Sequence, residues 1–294
     1  MLGGCGNTQG TYSTDSNTFF LKNSDGTYTY GEIVFPENYS EESLPLVVMS
    51  HGIYGSMNSG GAEELAQRLA ASGIIAVRVD FNRFLSDHQG KVSLSDKSLR
   101  TNQYTLSEMM ESNKLAIDFA VDKYDADPDR IGLYGRSFGG RLSMAMGNES
   151  YGGIDYKSMF LIAPAGNEYA LIHYMGGRKE WDSLMAKAQA AEANDTICER
   201  KGLIFTPKWF EDYYRYNPAL TGDKFGDKPV MLYYNTKDTV VEPETSLDCA
   251  HAYSNIEIFK VTSDNNHGYE MSFDHSELKE EIMNRAVTFF GETL

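Results

Sequence analysis

The chain alternates short, nearly continuous apolar runs with longer amphipathic stretches. Leu46-Val-Val-Met-Ser50, Ile74-Ile-Ala-Val-Arg-Val79, Arg130-Ile-Gly-Leu-Tyr134, Lys157-Ser-Met-Phe-Leu-Ile-Ala163 and Pro229-Val-Met-Leu-Tyr-Tyr234 are too short for ordinary helices. They also lack the polar alternation of a half-exposed strand, so they predict strands buried on both faces of a parallel sheet. Tyr253 to Val261 adds one more. Residues 61–72, which stop at Gly73, and Leu106 to Tyr124 carry apolar residues at helical spacing, in the second case Met109, Leu115, Ile117, Phe119 and Ala120. Arg141 to Met146 and Ser276 to Phe290 complete the helical set. Asn17 to Lys22 and Tyr28 to Phe35 flank Asp25-Gly26 and predict a hairpin. Strands that alternate with helices predict an α/β fold, a mainly parallel sheet with helices on both faces. In such sheets the functional site lies at the carboxyl ends of the strands. His51, Asp80, Ser137 and Asp238 each follow a predicted strand.

One segment breaks the alternation. Residues from about 165 to 225 are helical in character and rich in aromatics, among them Tyr169, Tyr174, Trp181, Phe205, Trp209, Phe210, Tyr213, Tyr214 and Tyr216. The segment is too long for a plain connection and predicts a helical cap over the strand ends. The remainder of 16–294 reads as one domain, and residues 1–15 read as a polar tether.

The candidate chemistry gathers around Gly135-Arg136-Ser137-Phe138-Gly139-Gly140, a Gly-x-Ser-x-Gly pattern between a strand and a helix. A strained turn there projects one serine above the sheet at the positive end of the following helix, and the glycines leave room for it. A serine needs a base. His267 follows the last predicted strand, and Asp238 follows the strand before it. His267 can take and return the Ser137 proton while Asp238 fixes its tautomer. Asp264 is the second candidate acid, but it follows the wrong strand. An oxyanion needs two N–H donors. Phe138, directly after the serine, supplies one, and the loop His51-Gly52-Ile53-Tyr54-Gly55 supplies the other, here assigned to Ile53.

Composition narrows the partners. With 26 Lys plus Arg against 42 Asp plus Glu, the net charge is −16. Such a chain repels phosphate backbones and anionic lipid, so nucleic acid is not an expected partner. The His and Cys spacings offer no metal site, and the chemistry above calls for no cofactor. Cys198 and Cys249 either pair or remain thiols. Leu2-Gly3-Gly4-Cys5, followed by polar residues, resembles a bacterial lipobox. The basic and apolar regions of a signal peptide would then precede Met1. That implies lipidation at Cys5, membrane attachment through it alone and an extracytoplasmic location; a cytoplasmic location is the alternative.

With His51-Gly52, Gly135-x-Ser137-x-Gly139-Gly140, Asp238-x-x-Val241 and His267-Gly268 in this order, the chain resembles the α/β-hydrolase superfamily across about 30–290. Arg78-Val-Asp-Phe-Asn82, Leu161-Ile-Ala-Pro-Ala-Gly-Asn167 and the inserted cap are similar to the bacterial cinnamoyl (feruloyl) esterases. The resemblance implies a serine carboxylesterase acting on a small-molecule ester, with a hydroxycinnamoyl group held under the cap. Tyr54, Arg136, Trp181, Trp209 and Tyr213 are the expected substrate contacts. The chain departs from that group at Arg136, where the group has His, at Asn235, where a glycine often stands, and at Arg83-Phe84-Leu85, where a glycine-rich turn is usual. A serine peptidase of the prolyl-oligopeptidase or aminopeptidase type is the alternative, with Glu168, Glu211 or Asp212 available to hold a substrate amine.

Overall fold

The structure, a computed structural model, describes residues 14–37, 43–88, 96–221, 227–264, 266–267 and 277–294. Cys5, most of the expected tether and Gly268 lie outside them. In chain order, β1 (Thr14–Lys22) and β2 (Tyr28–Pro36) form the expected hairpin, followed by β3 (Leu44–Ser50), α1 (Ala62–Ala71), β4 (Ile75–Phe84), α2 (Leu106–Tyr124), β5 (Ala126–Arg136), α3 (Phe138–Met146) and β6 (Ser158–Ile162). The cap contributes α4 (Tyr169–Tyr174), α5 (Arg178–Ala193), β7 (Cys198–Arg200), β8 (Leu203–Phe205), α6 (Pro207–Arg215) and α7 (Pro218–Thr221). Then come β9 (Val230–Asn235), α8 (Pro243–Ala250), β10 (Ile256–Val261) and α9 (Glu277–Thr293).

The main sheet runs β1-β2-β4-β3-β5-β6-β9-β10. It is parallel from β4 to β10, and β1 and β2 add antiparallel pairings at one edge. β3 shows why the apolar runs are continuous. Val47 and Met49 pack with α1 and α9 on one face, and Leu46 and Val48 pack with α2 and α3 on the other. Successive strand residues point to opposite faces, so a strand covered on both must be apolar at every position.

Two expectations change here. β4 continues to Phe84, because β2 pairs with it as far as Tyr28↔Phe84, so Asp80 lies inside the strand opposite Tyr30 and not at its end. The cap is not purely helical: Cys198↔Phe205 closes the β7–β8 hairpin. Cys198 and Cys249 are both free and buried, and burial pushes the Cys249 thiol up to about 12. Among the described residues no helix is long and apolar enough to cross a membrane.

Candidate active site

β5 leads into α3 through Ser137, whose backbone sits at φ 58°, ψ −121°. A β-carbon raises the cost of such a conformation, and it persists only where the surroundings impose it. Here they do. The Ser137 N–H donates to the Ile162 carbonyl at 2.9 Å, and α3 begins at once, so tightly that a Cβ on Gly139 would run into the carbonyls of Ser50 and His51. The Phe138 N–H, first in α3, points out of the helix without an intrahelical acceptor.

The candidate acid and base, Asp238 and His267, follow the ends of β9 and β10. Asp238 Oδ2 lies 2.9 Å from His267 Nδ1 in a buried contact. Since a carboxylate only accepts, Nδ1 carries the proton and Nε2 is the basic nitrogen. Asp238 Oδ1 accepts from the Val240 and Val241 N–H groups at 2.8 and 3.0 Å, which fixes the carboxylate. His267 sits at φ 57°, a second strained position. It faces a cavity of about 50 Å³ together with Ser137, Ile53, Ala170, Leu171, Tyr174, Val240 and Val241. Asp264 is instead exposed and pairs with Lys237 at 2.6 Å.

Side chains outside the initial set hold this loop pair. Asn235, fully buried, accepts from the Ser263 N–H at 3.1 Å and donates to the Ser263 carbonyl at 2.8 Å. Asn266 accepts from the Thr239 N–H at 2.8 Å and donates to Thr239 Oγ1 at 2.7 Å. Their places beside Asp238 and His267 were the only sequence signal. The amide of Asn235 uses a position where a glycine could make no such clamp.

The His51 loop is built the same way. The Phe81 N–H donates to His51 Nε2 at 3.2 Å, so Nδ1 carries the proton and donates to the Gly52 carbonyl at 2.8 Å. Burial pushes the His51 pKa down and favours this neutral ring. Gly52 lies against Ser137, since a Cβ there would sit 3.1 Å from Ser137 Cβ. The Tyr54 N–H is committed to Tyr104 Oη at 3.1 Å, whereas Ile53 lines the Ser137 cavity. Of these two neighbours, then, it is Ile53 that borders Ser137.

The expected substrate contacts fare differently. Trp181, Trp209 and Tyr213 form the core of the cap, each at most 1% exposed. Trp209 and Tyr213 stack at 5.6 Å between centroids, and Trp181 Nε1 donates to Tyr214 Oη at 2.7 Å. A small helical insert needs large apolar groups to build a core, and these rings supply it together with Leu184, Phe205 and Phe210. None of the three lines the Ser137 cavity. Arg136 also turns away from it: its Nη2 donates to the His267 carbonyl at 3.1 Å, and the side chain lines a separate cleft with Met57 and Tyr134. Tyr54 lines a larger neighbouring cavity. Glu168, Glu211 and Asp212 are absent from the Ser137 cavity, and Asp212 is taken up by the Ser107 N–H at 3.0 Å, which ties α6 to α2.

Arg141, which no sequence signal marked, anchors the cap to the elbow. It is fully buried in α3, donates to the carbonyls of Ala165, Asn167 and Tyr213 at 3.1, 2.7 and 2.6 Å, and lies 4.1 Å from the Tyr213 ring centre. Three carbonyls and an aromatic face offset the cost of burying the charge.

No protein-family model matches the sequence, and no curated protein matches it. Solved structures do. A hypothetical protein from Pseudomonas aeruginosa superposes with a TM-score of 0.69 at 13% identity, over 96% of this chain and 94% of its own. The alpha/beta hydrolase GrgF from Penicillium sp. gives 0.67 at 15%, over 95% and 99%. Est1E from Butyrivibrio proteoclasticus, also solved with ferulic acid bound, gives 0.64 at 20%, over 94% and 98%. Likeness at such identities carries architecture, not substrate. Sheet order, elbow and cap together establish that this chain has the α/β-hydrolase fold.

Proposed function

We propose that the chain is a serine carboxylesterase that works through an acyl-enzyme on Ser137. The observation that carries this is the single cavity onto which Ser137, Ile53 and His267 open, with His267 fixed by Asp238 at 2.9 Å. His267 Nε2 takes the Ser137 proton as Oγ attacks the ester carbonyl, and the Phe138 and Ile53 N–H groups bind the oxyanion. The intermediate collapses, His267 returns the proton to the departing alcohol, and water activated by the same nitrogen releases the acid.

The acyl group fits a space of about 50 Å³ walled largely by Ile53, Ala170, Leu171, Val240 and Val241. This favours a short acyl chain over a hydroxycinnamoyl group, which needs a longer slot. The peptidase reading finds no acidic group to hold an amine among the described residues that line the cavity. The test is a panel of p-nitrophenyl acetate, methyl ferulate and an aminoacyl p-nitroanilide. Acetate-ester hydrolysis is expected to exceed the other two and to fall at least about 10³-fold in Ser137→Ala. Undiminished turnover in that variant sinks the proposal; anilide cleavage rivalling the acetate ester moves it to the peptidase reading.

A further inference from the structure

Beside the Ser137 cavity lies a second one of about 300 Å³, whose lining includes Lys97, Arg100, Lys201, Ser56, Ser59 and Asn82. No carboxylate lines it among the described residues. Asp80 sits behind Arg100 at 3.7 Å and offsets part of that charge. Lys97 and Lys201 have no carboxylate partner among the described residues, whereas Lys208, Lys228, Lys237 and Lys279 each have one. A chain of net charge −16 thus converges cations on one concave surface next to its candidate nucleophile.

The two cavities share a wall. Tyr54 faces the larger and Tyr174 the smaller, with ring centres 6.3 Å apart. Lys201 Nζ lies 5.7 and 4.9 Å from those ring centres and donates to Tyr174 Oη at 3.3 Å. The smaller cavity, with Ile53, Leu171 and Val241 beside Ser137, suits the acyl group. The other substituent of the ester carbonyl is the alcohol, and the adjoining space is cationic and several times larger.

We infer that this second cavity binds a carboxylate carried on the alcohol portion of the ester, which makes the enzyme selective for esters of anionic alcohols. The inference rests on the esterase reading above and names its substrate class. Lys97 and Lys201 supply the charge, Ser56, Ser59 and Asn82 supply hydrogen bonds, and the charged alcohol departs from that side once the acyl-enzyme forms. Without such a cavity a chain this acidic repels an anionic substrate, so the sign of the preference is diagnostic.

The test compares 4-acetoxybenzoate with its neutral methyl ester on the full chain, each kcat/KM divided by the rate of that ester with hydroxide. The anionic ester is expected to be preferred about 10-fold at low salt, with the preference shrinking at high salt. In the double variant K97Q/K201Q the preference is expected to fall to about one, through KM, while Lys201→Arg keeps it. A preference for the neutral ester, or an anionic preference that survives the double variant, overturns the inference. If the folded protein hydrolyses neither ester, the esterase reading has failed. Calorimetry with 4-hydroxybenzoate then decides this one: binding that weakens in the double variant supports it, and no binding overturns it.

Discussion

The loops at the ends of β5, β9 and β10 and the cap above them are both rich in chemically capable side chains, but they use them in opposite ways. The loops hold Ser137 and His267 at positive φ, turn them toward a cavity and tie them with polar clamps from Asp238, Asn235 and Asn266. The cap turns Trp181, Trp209 and Tyr213 inward onto one another. What it offers the cavity is modest: Ala170, Leu171 and Tyr174, all from α4 or its edge. A large sheet-based body can keep strained polar residues because its core is secure elsewhere. A small insert must spend its largest side chains on its own cohesion. Conspicuous aromatics are therefore poor guides to substrate contact in an insert of this size.

That contrast can be broken by substitution. The largest effect is expected at Asp238. In Asp238→Asn the amide keeps the Val240 and Val241 contacts through its carbonyl but presents an N–H to His267 Nδ1, so Nε2 carries the proton and can no longer accept one. Ester turnover is expected to drop about 10³- to 10⁴-fold with the circular dichroism spectrum unchanged. A drop under tenfold would remove Asp238 from the site. Next comes Trp181→Ala, expected to cost about 3–5 kcal/mol of stability in denaturant titration while turnover of p-nitrophenyl acetate by the folded fraction changes only a few-fold. If instead stability is kept and KM rises steeply, Trp181 touches substrate and the comparison fails. The smallest effect is expected at Leu171→Ala. It enlarges the acyl cavity by a few carbons and should shift preference from acetate toward butyrate esters by about 10-fold in kcat/KM. An unchanged acyl preference would show that α4 does not bound the acyl group.

Legibility from sequence followed the range of the interactions involved. The strands β3, β5, β6 and β9 announce themselves because burial on both faces demands apolar residues in succession. α2 was legible to the residue, and its Thr105 and Glu108 form a capping box at the start. The end of β4 was not, because its last residues are held by pairing with β2, a partner far away in sequence. The cap hairpin was missed for the opposite reason: three-residue strands are too short to show a period.

The sequence by itself determined the sheet's alternating plan, the elbow at Ser137 and the order in which Asp238 and His267 arrive, because each depends on local pattern or on strand succession. Tertiary structure alone decided which way side chains face. It turned Arg136 toward the His267 carbonyl and the cap tryptophans into a core, buried Arg141 among carbonyls, and drew Ser56, Asn82, Lys97 and Lys201 from separate segments into one cationic cavity. The physical reason is that residue type fixes what a side chain can do, while the packing of distant segments fixes what it meets.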